Sequence, residues 1–315
     1  MKIVLAGGTG QVGTLLARSF AASGHDVVVL SRSPRAAPWS VAEWDAATPG
    51  AWTAELDGAD VVINLAGRSV NCRYTKKNRD EILESRVRST RAVGEAIALC
   101  AKPPRVWLQS STATIYAHRY DAPNDETSGI TGVGEDAPST WRFSIDVAQA
   151  WEREVDAAVT PATRKVKLRS AMVMSPDRGG IFDTLLSLVR RGLGGKSGDG
   201  KQFVSWIHET DFVRAIETLI SDETLSGAVN ICAPEPLPNG EFMRALRDAW
   251  GIRFGLPASA LMLEAGARVL GTETELILKS RRVVPTLLLQ RGFSFVFPAW
   301  PAAARDLCER VRTRF

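Results

Sequence analysis

The chain has 315 residues, enough for two average domains or for one nucleotide-binding domain with an added lobe. Hydrophobic residues make up 45% and charged residues 23%, a balance that supports a packed core and excludes fibrous and disordered classes. Thirty-nine basic against 35 acidic side chains leave a formal charge of +4, and no dense basic tract is interleaved with aromatics, so no nucleic-acid partner is expected. Cys72, Cys100, Cys232 and Cys308 form no CxxC pair and the three histidines lack ligand spacing, which argues against a metal site or a disulfide framework. No apolar run approaches the roughly 20 residues needed to cross a bilayer. With no room for a leader before the first strand, the expected location is cytoplasmic.

In chain order, Lys2 to Ala6 is a short apolar run rich in β-branched residues, followed by a glycine turn over residues 7–13 and a helical pattern from Thr14 to Ser23. His25–Leu30, Asp60–Leu65 and Arg105–Ser110 read as further buried strands, with an amphipathic stretch from Asn78 to Cys100 before the last of them. Val166–Arg169 and Ala228–Ile231 complete the pattern. Strands alternating with helices predict an α/β fold with a Rossmann-type, doubly wound parallel sheet. The glycine-rich stretch 192–200 and the proline-punctuated turn 233–240 mark a change of character. The expected division is a cofactor domain of residues 1–170 and 206–232, and a smaller, discontinuous substrate lobe of residues 171–205 and 233–315.

Gly7, Gly10 and Gly13 have the spacing of a dinucleotide turn. The first makes the tight bend, the second admits a pyrophosphate to the backbone, and the third lets helix and strand pack closely. Thr9, Gln11 and Val12 belong to the same turn, where the helix N-terminus offers N–H donors and partial positive charge. An NAD site expects an acidic residue about 20 positions on, at the end of the second strand. Ser31-Arg32-Ser33 stands there instead, and Arg32 can pair with a 2′-phosphate in a fork, so NADP(H) is the expected cofactor. Asp45 is a candidate for the adenine amino group, and Leu65, Ala66 and Gly67 are expected to border the nicotinamide half.

With Asn64-Leu65-Ala66-Gly67 and Ser110-Ser111-Thr112-Ala113-Thr114-Ile115-Tyr116 added to the glycine turn, the chain resembles an extended short-chain dehydrogenase/reductase. Gly67-Arg68-Ser69-Val70, Ser85-Arg86-Val87, Trp151-Glu152, Ser205-Trp206-Ile207-His208, Ala233-Pro234-Glu235-Pro236 and Arg282-Val283-Val284-Pro285 narrow the likeness. They are similar to an atypical, epimerase-like family with its own C-terminal domain of unknown function. The resemblance runs from residue 1 to about 310. It implies that Thr112 holds the substrate oxygen, and that a tyrosine with a lysine four residues later moves the proton. A tyrosine of reference pKa near 10 needs such a cation to act as a base at neutral pH.

That pair does not follow. The corresponding stretch puts Phe143 and Val147 in its place, and the three tyrosines, Tyr74, Tyr116 and Tyr120, are followed four residues on by Asn78, Tyr120 and Asn124. His208 reads either as a replacement proton carrier or as a packed brace, and Tyr116 either as a catalytic group or as packing. His118, on the same loop as Tyr116, is a further candidate for proton transfer or substrate contact. Arg68, Arg73 and Arg169 are candidates to clamp an anionic substrate group, with a structural ion pair as the alternative for the strand-end Arg169. Arg86 is assigned to the fold or the cofactor region and Trp151-Glu152 to packing. Two readings result: an NADP(H)-dependent oxidoreductase or nucleotide-sugar-epimerase-like enzyme acting on a small polar carbonyl or sugar-like substrate, or a catalytically silent NADP(H)-binding sensor. A monomer or homodimer is expected.

Overall fold

The first strand and helix show how the sequence builds this protein, whose computed structural model describes residues 1–134 and 137–314. β1 (Lys2–Ala6) runs into the glycine turn and α1 (Gln11–Ala22), three residues earlier than the apolar periodicity alone indicates, because Gly10 is the N-cap. β2 (Asp26–Ser31), β3 (Ser40–Glu43) and β4 (Val61–Asn64) follow, then α2 (Lys76–Leu99), capped by the Thr75 hydroxyl, which accepts from the Asn78 N–H. β5 (Val106–Thr112), α3 (Ser139–Ala157) and β6 (Arg164–Ser170) complete the first half. Beyond them come β7 (Met172–Met174), α4 (Ile181–Arg190), β8 (Phe203–Val204), β9 (Trp206–His208), α5 (Glu209–Ser221) and β10 (Gly227–Ile231). The chain ends with β11 (Leu237–Pro238), α6 (Asn239–Trp250), α7 (Ala260–Leu270), α8 (Glu275–Leu278), α9 (Thr286–Gln290) and α10 (Trp300–Arg312).

Seven strands form one parallel sheet in the order β3-β2-β1-β4-β5-β6-β10. The chain winds outward from β1 in both directions, so a crevice opens beyond the carboxyl ends of β1 and β4, where such sheets bind ligands. The central strands β1, β2, β4 and β5 are largely buried on both faces, which is why they read as apolar runs, whereas the edge strand β3 is exposed or half-buried along its length. Ile3, Leu5, Val27, Val29, Val61 and Ile63 face one layer with Leu16, Phe20, Phe212 and Ile216; Val4, Val28, Val62 and Trp107 face the other with Val93, Ile97 and Val155. The sheet centre is also tied by polar groups: Gln109 Oε1 accepts from Asn64 Nδ2 at 3.0 Å and from Trp107 Nε1 at 3.1 Å.

A second core gathers α4, α6 and α10, with Phe242 stacked on Trp300 at 4.1 Å and Trp206 edge-on to Trp300 at 5.0 Å. Trp206, expected in the cofactor domain, packs its side chain into this second core, while Leu288 of α9 returns to the first. β9 pairs in parallel with β7, and β11 is antiparallel to β8. The two lobes are therefore stitched together by strands and by shared packing. Among the described residues no helix is long and apolar enough to cross a membrane, and no cluster of His, Cys, Asp and Glu could hold a metal ion.

Candidate active site

The glycine turn lies at the crevice. Gly7 adopts φ 73°, and a Cβ there would stand 2.7 Å from Ala66 Cα; a Cβ at Gly13 would stand 2.4 Å from Gly8 Cα. Both positions exclude any larger residue by close backbone approach. A Cβ at Gly10, in contrast, meets nothing within 4 Å. The space over the α1 N-terminus is thus open, and the first turn carries no acidic residue to repel an anion. A cleft of about 660 Å³ continues from Gly8 and Thr9 past Ser31, Arg32 and Ser33. Arg35, Trp39 and Val41 also line it. Arg35 and Trp39 escape a motif reading, although an arginine three residues beyond Arg32 is a signal that could have been used.

One member of the expected cofactor set does other work. Asp45 turns back on its own loop, accepting from the N–H groups of Ala47 at 2.8 Å and Thr48 at 2.9 Å and from the Thr48 hydroxyl, which hold its carboxyl below the usual range. It is not among the residues lining the cleft. Gln11 reaches across to the other lobe, where a Cβ at Gly180 would lie 2.1 Å from its Nε2. Val12 packs on the core. Leu65 and Ala66 follow β4 beside the turn, with the Ala66 N–H donating to Asn64 Oδ1, and Gly67 faces the Arg86 guanidinium, 3.2 Å from where its Cβ would be.

A second cavity, about 240 Å³, lies at the end of β5. Thr112 lines it, and its Oγ accepts from the Thr114 N–H at 3.1 Å, so the hydroxyl proton remains free to donate. Phe143 and Val147, the side chains in place of the tyrosine and lysine, form an apolar wall with Trp151. Its polar lining residues include Tyr74, Arg86, Ser111, Thr114, Ser144 and Glu275. Arg86 lies 4.9 Å over the Trp151 ring and donates to the carbonyls of Arg68 and Ile82. Burial pulls it down to about 10, still far above neutral pH. Among the described residues it has no carboxylate partner.

The other candidates are held by structural partners, in line with the packing or ion-pair alternative for Tyr116, His208 and Arg169. Arg169 binds Glu152 in a fork, both bonds 2.8 Å, and Ser111 donates to the same carboxylate at 2.7 Å. Burial would raise the Glu152 carboxyl, but the Arg169 bonds and charge prevail and lower it. Tyr116, 2% exposed, donates to Asn230 Oδ1 and accepts from Arg169 Nη1, both at 2.9 Å. Arg68 pairs with Glu81 and donates to Asn78, and Arg73 pairs with Glu273 at 3.3 Å. His208 is fully buried under Phe297. Its Nδ1 accepts from the Thr210 N–H and its Nε2 faces Asp306 at 3.0 Å. Burial lowers its pKa despite Asp306, so the ring is a neutral cap on α5 away from the cavity. His118 accepts from the Ser280 N–H at 2.8 Å and rests on Trp141.

Comparison with known proteins agrees with this architecture. Residues 3–232 match the NAD dependent epimerase/dehydratase family and residues 252–307 match a domain of unknown function, DUF1731. The bovine (Bos taurus) epimerase family protein SDR39U1 is 32% identical, covering 98% of this chain and 99% of its own. Epimerase family protein SA0724 of Staphylococcus aureus (strain N315) is 29% identical over 97% of this chain and 98% of its own. Among solved structures, human epimerase family protein SDR39U1, crystallised with NADPH, superposes with a TM-score of 0.84 at 28% identity, covering 98% of this chain and 99% of that one. The chain belongs to the NAD dependent epimerase/dehydratase family, in the epimerase-like branch whose members carry the DUF1731 domain at the C-terminal end.

Proposed function

We propose that the protein is an NADP(H)-dependent oxidoreductase or epimerase-like enzyme acting on a small polar carbonyl or the corresponding alcohol. The observation that carries this reading is the continuity of the open glycine turn with a cleft that ends in two arginines, Arg32 and Arg35, where an NAD site would carry a carboxylate. Backbone N–H groups at the start of α1 would hold the pyrophosphate. Ser31, Arg32, Ser33 and Arg35, which line the cleft, would hold the 2′-phosphate. The relative crystallised with NADPH supports the same preference. When bound, the cofactor supplies or accepts the hydride.

This chain contributes position and polarity. Thr112 donates its hydroxyl proton to the reacting oxygen, the Phe143, Val147 and Trp151 wall excludes water, and Arg86 attracts a negatively charged group of the substrate. Arg86 takes the role expected of Arg68, Arg73 and Arg169, whose charges are already paired. The test is a calorimetric titration with NADP⁺ and NAD⁺. Wild type binds NADP⁺ the more tightly, and Arg32→Asp weakens NADP⁺ by about 1.5–3 kcal/mol, the worth of a charge-assisted hydrogen bond, with little change for NAD⁺. Equal loss for both cofactors, or none, would remove the assignment. Turnover with a carbonyl panel then separates the enzyme from a silent sensor, which would bind NADPH and oxidise none of it.

A further inference from the structure

Among the described residues, the charged side chains at the cavity of Thr112 are Arg86 of α2 and Glu275 of α8, which line it, with Arg281 bound to Glu275. Glu275 is 1% exposed and both of its oxygens are engaged, Oε2 by the Ser144 hydroxyl at 3.0 Å and Oε1 by Arg281 Nη2 at 2.9 Å. These two opposite charges cancel. Arg86 is left over. Both of its hydrogen bonds run from Nη1, to the carbonyls of Arg68 and Ile82 at 3.0 Å, and carbonyls satisfy a donor without neutralising its charge. Nε and Nη2 meet no acceptor among the described residues, and neither is a buried atom without a partner, so both open onto accessible space. A half-buried guanidinium with one free edge favours an anion there.

That edge has a defined direction. A Cβ at Gly67 would stand 3.2 Å from Arg86 Cζ, so glycine at the end of the β4 turn leaves the room that the guanidinium occupies. The Trp151 ring lies 4.9 Å from the same carbon and fixes a face of the plane. Nε and Nη2 are the pair that Arg169 uses to grip Glu152, both bonds 2.8 Å, so the free edge of Arg86 has the form that this protein already uses for a carboxylate. The Phe143, Val147 and Trp151 wall, extended by Val70 and Ile82, suits an apolar body. At about 240 Å³ the cavity has the volume of about eight waters and lies below the roughly 300–1,000 Å³ of pockets for drug-sized ligands. The base and two phosphates of a nucleotide sugar exceed it, whereas a short acid fits.

We propose that the substrate is a small 2-oxo acid with an apolar side chain, or the corresponding 2-hydroxy acid, its carboxylate held in a fork by Arg86 and its reacting oxygen by the Thr112 hydroxyl. The proposal rests on the reading of this cavity as an NADP(H)-dependent oxidoreductase site. One spare cation matches one negative charge, and in so small a cavity that charge belongs close to the carbonyl. A phosphate ester would bring about −1.5 to −2 against the single cation. Arg86 binds and orients, and exchanges no proton. In reduction C2 gains the hydride, its oxygen gains a proton from the medium, the C=O double bond becomes single, and NADPH leaves as NADP⁺.

The experiment is a calorimetric titration of the full-length protein, with NADP⁺ present, using 4-methyl-2-oxopentanoate, its uncharged methyl ester, dihydroxyacetone phosphate and UDP-glucose. The acid is expected to bind at least about tenfold more tightly than its ester, and Arg86→Gln to weaken the acid by about tenfold to a hundredfold, the range of a charge-assisted hydrogen bond, with NADP⁺ affinity retained. Arg86→Lys, which keeps the charge but not the fork, recovers part of the loss. No binding of the acid, equal binding of acid and ester, or preference for the phosphate ester or the nucleotide sugar would overturn the substrate class; these wild-type comparisons decide it even if Arg86→Gln fails to fold. Equal losses of acid and NADP⁺ affinity in Arg86→Gln would assign the arginine to the cofactor instead. NADPH oxidation separates the two readings: selective binding of the acid without turnover supports the carboxylate site and overturns the oxidoreductase reading, whereas turnover of uncharged carbonyls with no preference for the acid supports the oxidoreductase and overturns the 2-oxo acid.

Discussion

Glu152, 7% exposed, carries a charge that the protein can bury only because Arg169 grips both of its oxygens and Ser111 donates to one of them. Removing one partner from such a pair leaves the other uncompensated, at a cost of about 3–5 kcal/mol. Glu152→Ala is therefore expected to lower the urea midpoint by that order of free energy while leaving NADPH affinity unchanged in the folded fraction. Lys279 makes a different prediction. It is 1% exposed, donates to the Thr114 carbonyl at 2.5 Å, and is pulled down from 10.5 to about 7 by burial and by neighbouring Arg281. Between those two values the unfolded chain holds a proton that the folded chain lacks, so stability rises with pH across that window. The wild-type slope should exceed that of Lys279→Met by up to one proton, about 1.4 kcal/mol per pH unit, from denaturation at pH 7 to 10. At this scale the sequence is least informative. Arg169 and Glu152, 17 positions apart, look like unpaired polar residues until β6 and α3 are packed together, and the same holds for Tyr116 and Asn230, 114 positions apart.

Secondary elements are more legible, because their signals are local. The strand runs, the helix after the glycine turn and the amphipathic α2 are all evident from periodicity and caps, and they differ from the structure only in their ends. α1 begins at Gln11 rather than Thr14 and α2 at Lys76 rather than Asn78, because a glycine N-cap and Thr75 set those starts independently of apolar spacing. The turn itself gives an element-scale prediction. A methyl at Gly13 would meet Gly8 Cα at 2.4 Å and its carbonyl carbon and oxygen at 2.5 Å, so the strand–helix junction must open to admit it. Gly13→Ala is expected to cost about 1–3 kcal/mol of stability by overpacking and to weaken NADPH binding as well. Gly10→Ala, with open space around its Cβ, should fold normally and lose affinity alone, as paired denaturation and binding measurements would show.

For the whole molecule, the two lobes share packing: Leu288 from the C-terminal segment sits in the sheet core, and β7 and β9 pair where the lobes meet. A ligand bound to the native state should accordingly stabilise both lobes as one cooperative unit. Adding NADPH at about 100 times its Kd is expected to raise stability by about 2.7 kcal/mol and move a single calorimetric transition upward. Two transitions, with only one shifted by cofactor, would mean that the lobes unfold separately. The sequence by itself determined the parallel sheet, the glycine turn, the arginine-bearing end of β2 and the place of Thr112, because each depends on neighbours within a few residues or on a regular period. Only the tertiary structure decided which arginine lines the cavity at Thr112, that His208 is a buried cap, and that Glu275 meets Ser144 from 131 positions away. Those outcomes depend on which charges find partners when distant segments are packed out of water, and the pairing of charges carries no period along a chain.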